Sequence, residues 1–111
     1  MAEISFSFKY VSIYITASNV EEAERIAGEV VKRRLAACAN IVDKISSVYW
    51  WEGEIHKDNE ALLFLKSRKD KIKEIIDFVK SIHSYENPAI VVFPIVDGSD
   101  EYLKWIDEEV K

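Results

Sequence analysis

The stretch 37–66, "ACANIVDKISSVYWWEGEIHKDNEALLFLK", decides the fold. Two runs rich in strand formers, 37–51 and 54–66, flank Glu52-Gly53. A glycine supplies the positive φ that a two-residue turn needs, so the runs predict one long antiparallel hairpin. Side chains alternate between the two faces of a strand. With Trp51 opposite Glu54, strict pairing sets Trp50 beside Ile55 on one face. Tyr49 then shares the other face with His56, unless a bulge intervenes.

Upstream, residues 8–17, "FKYVSIYITA", are β-branched and aromatic, with Val11, Ile13, Ile15 and Ala17 on one face. Ser18 or Asn19 can cap the helix that follows, with Glu21 or Glu22 placed to complete a capping box. Val20, Ala23, Ala27, Val30 and Val31 form its apolar face. Lys32, Arg33 and Arg34 close it, where cations suit the helix dipole. Downstream, Ile72, Ile75, Ile76, Val79 and Ile82 recur at helical spacing within 69–83. Residues 89–96, "AIVVFPIV", predict a short buried strand. The segment "DGSDEYLKWIDEEV" begins with capping residues and continues as a helix carrying Leu103, Ile106 and Val110. No repeat, low-complexity tract or linker divides residues 1–111, which read as a single domain. The order β-α-β-β-α-β plus a last helix is an α+β, ferredoxin-like pattern. It lays two helices on one face of an antiparallel four-stranded sheet.

One length does not fit an isolated chain. A hairpin arm of ~14 residues reaches about 46 Å, whereas a helix of ~15 residues is only about 23 Å long. The far half of the hairpin, with Val48, Tyr49, Trp50, Trp51 and Ile55, is therefore left uncovered. Exposed tryptophans on a long hairpin call for a partner, and symmetric self-association is the simplest one. Pro94 lacks the N–H of a central strand and belongs at a sheet edge or bend.

The bulk properties narrow the function. The 111 residues are 49% hydrophobic and 32% charged, a globular composition. A net charge of −5 argues against a nucleic-acid surface, which needs clustered Lys and Arg. "ALLFLKS" also lacks the basic and aromatic series by which ferredoxin-like domains bind RNA. Cys38 is the sole cysteine, so no intramolecular disulfide can form and a reducing compartment is expected. The N-terminal residues lack a basic segment followed by an apolar one, and no apolar run reaches membrane-span length. These features predict a cytoplasmic protein that engages neither membrane nor nucleic acid.

"SIHSYENPAIVVFPI", residues 81–95, places an imidazole, a phenol and a carboxylate where a plain connection would use Gly or Asn. His83 reads either as a helix-end histidine bonded to the last carbonyls or as a ligand grouped with Tyr85 and Glu86. Cys38 reads as a small buried hydrophobe or as a soft metal ligand. Glu60, if buried, needs a cation or hydrogen-bond donors, and Lys66 and Arg34 are candidates. His56 reads as a solvated strand residue, and Tyr102 and Trp105 more readily as core than as a binding box. Phosphate loops, nucleophile elbows, H-E-x-x-H and paired C-x-x-C motifs are missing.

Taken together, "RRLAACANI", "YWWEGEIHKDNEALLFLKS", "IHSYENPAI" and "YLKWI" resemble the CutA divalent-cation tolerance proteins. The resemblance runs from about Tyr10 to the C-terminus. It implies a ferredoxin-like homotrimer with interlocking hairpins and a link to copper and other divalent cations. His83 and Cys38 match the histidine and the cysteine of that family. Two departures stand out. Ser84 replaces the usual proline of His-Pro-Tyr-Glu, which predicts a looser loop. Ile15 replaces a first-strand cysteine proposed as a copper ligand in some bacterial members, which puts thiolate copper binding in doubt.

The leading expectation is a cytoplasmic trimer of divalent-metal tolerance that weakly binds copper or another divalent cation. It requires no cofactor and catalyses no reaction. His83, Glu86 and Cys38 are the expected metal ligands. Tyr85, Glu60, Lys66 and Arg34 are expected in an intersubunit cleft, and Tyr49, Trp50, Trp51 and Trp105 at the trimer interface. The alternative resembles the PII signalling proteins: a regulatory or protein-interaction trimer holding an anion or small molecule between subunits. An enzyme using His83 as acid or base ranks last, because no nucleophile or orienting partner is identifiable.

Overall fold

The computed structural model describes residues 7–111, so the single-domain reading of 1–111 extends over 1–6, which lie outside the described residues. The elements are β1 (Tyr10–Ala17), α1 (Val20–Lys32), β2 (Cys38–Trp51), β3 (Glu54–Arg68), α2 (Ile72–Ile82), β4 (Ile90–Ile95) and α3 (Asp100–Glu109). One antiparallel sheet has the strand order β2-β3-β1-β4. This is the ferredoxin-like arrangement expected.

The alternation in β1 does what its sequence dictates. Val11, Ile13, Ile15 and Ala17 are buried, with Ala61, Leu63 and Leu65 of β3 beside them. Ala23, Ile26, Ala27 and Val30 of α1, with Ile75 and Val79 of α2, close the core from one side of the sheet. Ile15 is fully buried in this core.

The helix ends show how local chemistry fixes the frame. The side chain of Asn19 caps α1 by accepting the Glu22 N–H at 2.9 Å. Arg34 has φ 62°, the left-handed conformation more often given to glycine. Its N–H reaches Val31 O and the Leu35 N–H reaches Val30 O, so these two carbonyls in the last turn of α1 are satisfied. The first turn expected for the second helix is 3₁₀, at Lys69–Lys71, and has no side-chain cap. The α-helix proper starts at Ile72.

The hairpin turn has φ 50° at Glu52 and 80° at Gly53, the doubly positive geometry of a type I′ turn. Trp50 pairs with Ile55 and Tyr49 with His56, as the turn predicted. A register shift between Val42 and Ile45 interrupts β2. β4 departs from expectation. It is an edge strand rather than a buried one: Ile90 and Val92 pack on the core while Val91 and Phe93 stay exposed. Its edge position accommodates Pro94. Beside the face opposite the two main helices, α3 buries Ile106 and Val110 with Ala37, Tyr10 and Leu103. Tyr102 and Trp105 are exposed on that helix, not core.

Candidate functional site

The loop after α2 is held by two anchors on earlier elements. The His83 side chain is fully buried. Its Nε2 lies 2.8 Å from Thr16 O, and its Nδ1 lies 3.0 Å from the Tyr85 amide nitrogen. A carbonyl can only accept and an amide N–H can only donate, so these two contacts fit the tautomer with its proton on Nε2. The His83 and Tyr85 rings are 4.8 Å apart.

The second anchor is Glu22, a buried carboxylate. It accepts from the N–H and Oγ of Ser18, both at 2.9 Å, and from the N–H and Oγ of Ser84 at 2.8 and 2.9 Å. Burial opposes its ionisation, but these bonds outweigh that penalty and hold the carboxyl at about 2. Glu22 thus bonds Ser18 rather than completing a reciprocal box with the cap residue Asn19. Ser84 fixes the loop instead of loosening it, and a proline at 84 would lack the donated N–H.

With the loop so fixed, Tyr85 donates its hydroxyl to Glu60 Oε2 at 2.7 Å. Burial and this bond to a carboxylate both raise the phenol's pKa, so it stays protonated. Glu60 sits in β3 at 9% exposure. No basic side chain pairs with it or with Glu86 among the described residues. The expected partners lie elsewhere: Lys66 bonds Asn40, and Arg34 pairs with Glu109 at 2.6 Å. Both belong to the region near α3, because Lys66 follows Glu60 by six residues along β3 and Arg34 lies just past the end of α1. Neither enters the cleft.

That cleft has a volume of about 610 Å³ and lies between the sheet, the hairpin and the loop after α2. Tyr14, Thr16, Tyr49, Trp50, Trp51 and Tyr85 line it together with Glu60 and Glu86, and none of its lining residues is basic. The Tyr49 hydroxyl is tied to Asp58, and its ring stacks on His56.

The expected metal set is not brought together. Cys38 pairs with Lys66, which is level with Ser12, four residues along β1 from Thr16. At ~3.3 Å per residue this is roughly 13 Å along the sheet from the His83 anchor. The Cys38 thiol instead lies 3.5 Å from the Tyr102 hydroxyl. That contact and burial push the phenol up to about 12. His83 has both ring nitrogens engaged, which leaves no free lone pair for a metal. Among the described residues no group of three or more His, Cys, Asp and Glu side chains is placed to hold a metal ion. Sequence reasoning missed Glu22 as the loop's anchor. The visible signal was Ser84, with the donated N–H that proline lacks.

Fold and site together define a ferredoxin-like protein with an acidic, aromatic-walled cleft. Residues 11–109 match the family model described as CutA1 divalent ion tolerance protein. The chain is 48% identical over 99 residues to the divalent-cation tolerance protein CutA of Archaeoglobus fulgidus, covering 89% of this chain and 96% of that one. It is 37% identical over 111 residues to Protein CutA 1, chloroplastic, of Oryza sativa subsp. japonica, covering all of this chain but 63% of the rice protein. A solved structure described as the periplasmic divalent cation tolerance protein CutA from Archaeoglobus fulgidus superposes with TM-score 0.89 at 47% identity. That match covers 92% of this chain and 99% of the other. The chain belongs to the CutA1 divalent ion tolerance family.

Proposed function

We propose that the protein serves divalent-metal tolerance as a cytoplasmic homotrimer that binds a divalent cation weakly, copper among them, and catalyses no reaction. The observation that carries this reading is Glu60: a nearly buried carboxylate with one phenol donor and, among the described residues, no counter-charge, facing a cleft shared with Glu86. Such a group favours a cation beside it. Two carboxylates make a sparse set for a divalent ion, which accounts for weak affinity. His83 serves the cleft by orienting Tyr85 rather than by ligation. The single cysteine and the lack, among the described residues, of any helix able to cross a membrane accord with the cytoplasmic reading.

Calorimetric titration of Cu²⁺ into the native assembly tests the proposal. Saturable binding is expected, weakened about tenfold or more by Glu86→Gln, which is ~1.4 kcal/mol. His83→Ala should lower the melting temperature, because it removes two buried hydrogen bonds. Copper affinity unchanged by Glu86→Gln would overturn the carboxylate site. A tenfold loss with His83→Ala at unchanged melting temperature would restore the imidazole as ligand.

A further inference from the structure

We propose that Asp97-Gly98 is a self-modification site, where the Asp97 carboxyl and the Gly98 nitrogen close to a succinimide that hydrolyses to isoaspartate. The reaction needs a short acidic side chain, an unshielded nitrogen after it and a backbone free to turn. Gly98 is the only glycine preceded by Asp or Asn; Gly28 and Gly53 follow Ala27 and Glu52. Residues 96–99, between β4 and α3, lie outside helix and strand, and Asp97 and Gly98 are both exposed. The peptide plane between them is therefore not locked into a ladder or a helical turn, and water reaches it. The geometry supplies the approach. The Gly98 N–H donates to Oδ1 of Asp97 at 2.8 Å. Oδ1 is one bond from Cγ, so the side chain is already folded back on the nitrogen that attacks it. Holding the two groups together in advance removes much of the entropic cost of ring closure.

In the reaction the Gly98 nitrogen forms a bond to Cγ of the protonated carboxyl. The Cγ–OH bond breaks, and the hydroxyl leaves with the amide proton as water. A water molecule then opens the imide. Breaking the bond between Cγ and nitrogen restores aspartate. Breaking the bond between the Asp97 main-chain carbonyl and nitrogen leaves the backbone running through Cγ, which is isoaspartate. No other reactant is consumed, and the product is an isomer of the parent. The added backbone atom falls directly ahead of Ser99, whose side chain caps α3 by accepting the Tyr102 N–H at 3.3 Å.

The test is incubation of the native protein at neutral pH, warmed but below its melting temperature. Isoaspartate is measured by methyl transfer from S-adenosylmethionine with an isoaspartyl methyltransferase, and located by peptide mapping. The expected product grows with time in the peptide holding Asp97, with unchanged mass, shifted retention and resistance to an aspartate-directed endoproteinase. Gly98→Ala should fold normally. The nearest neighbours of an added Cβ are Leu103 side-chain atoms at 3.5 to 3.7 Å, an ordinary contact, and the φ of Gly98 is not left-handed. The variant should slow formation about tenfold or more, because the methyl group shields the nitrogen. Asp97→Glu, which would have to close a larger ring, should lose the signal from that peptide. No accumulation at Asp97, an equal yield at the other aspartates, or an unchanged rate in Gly98→Ala would overturn the inference.

Discussion

At the scale of single residues, Glu22 governs the cleft without lining it. Its carboxyl is lowered from the ordinary 4.5 to about 2, so it is charged in the folded state well below the pH at which it protonates in the unfolded chain. The stabilisation is therefore complete above about pH 4.5 and disappears as pH falls toward 2, and it amounts to roughly 3 kcal/mol. Glu22→Gln should melt at a lower temperature than the parent at pH 7, with the gap closing between pH 4.5 and 2. Melting curves at fixed protein concentration check this, and a constant gap across that range would contradict it. The sequence shows Glu22 only as a helix-start acid, because its partner Ser84 is 62 residues away. The same limit applies to His83. Its place at a helix end was legible, but its bond to Thr16 on β1 depends on how α2 lies across the sheet.

Elements were the most legible level, and the hairpin shows both the reach and the limit of pattern reading. Counting back from Glu52-Gly53 yields the pairs Trp50–Ile55 and Tyr49–His56, both present. Counting from the core end yields Ile41–Leu63 and Ala39–Leu65. The two counts differ by one residue, and the bulge between Val42 and Ile45 absorbs it. Its consequence is functional. Ala39 and Ile41 face the core, yet beyond the bulge Ser47, Tyr49 and Trp51 share the face of Glu60. A strand without the bulge would turn Val48 and Trp50 toward Glu60 instead. Glu52 occupies a left-handed position that asparagine tolerates better. Glu52→Asn should thus stabilise the hairpin by about 0.5–1 kcal/mol, read as a rise in denaturation midpoint with unchanged slope. A fall in the midpoint would show that the Glu52 side chain has a stabilising role.

The whole molecule spans 43 × 43 × 23 Å, and much of its apolar surface is uncovered. At the hairpin tip Val48, Trp50 and Ile55 are 63, 71 and 61% exposed. On the sheet face opposite α1 and α2, Val42, Val91 and Phe93 are exposed beside Tyr14 and Phe64. Such area on one small chain calls for a partner. The mismatch of strand and helix lengths predicted the uncovered tip. The exposed β4 face was not foreseen, because "AIVVFPIV" reads as buried on both sides until its edge position is known. Trp50→Asp should abolish assembly, since on the proposed trimer it would place a carboxylate where a neighbouring copy is expected to cover an apolar side chain. In a chain that stands alone the same change should be within about 0.5 kcal/mol of neutral. Sedimentation equilibrium of the unmodified protein at micromolar concentration bears most directly on the claim that function resides in an assembly of three copies. The account predicts a mass three times that of the 12.8 kDa chain; a single-chain mass would contradict it.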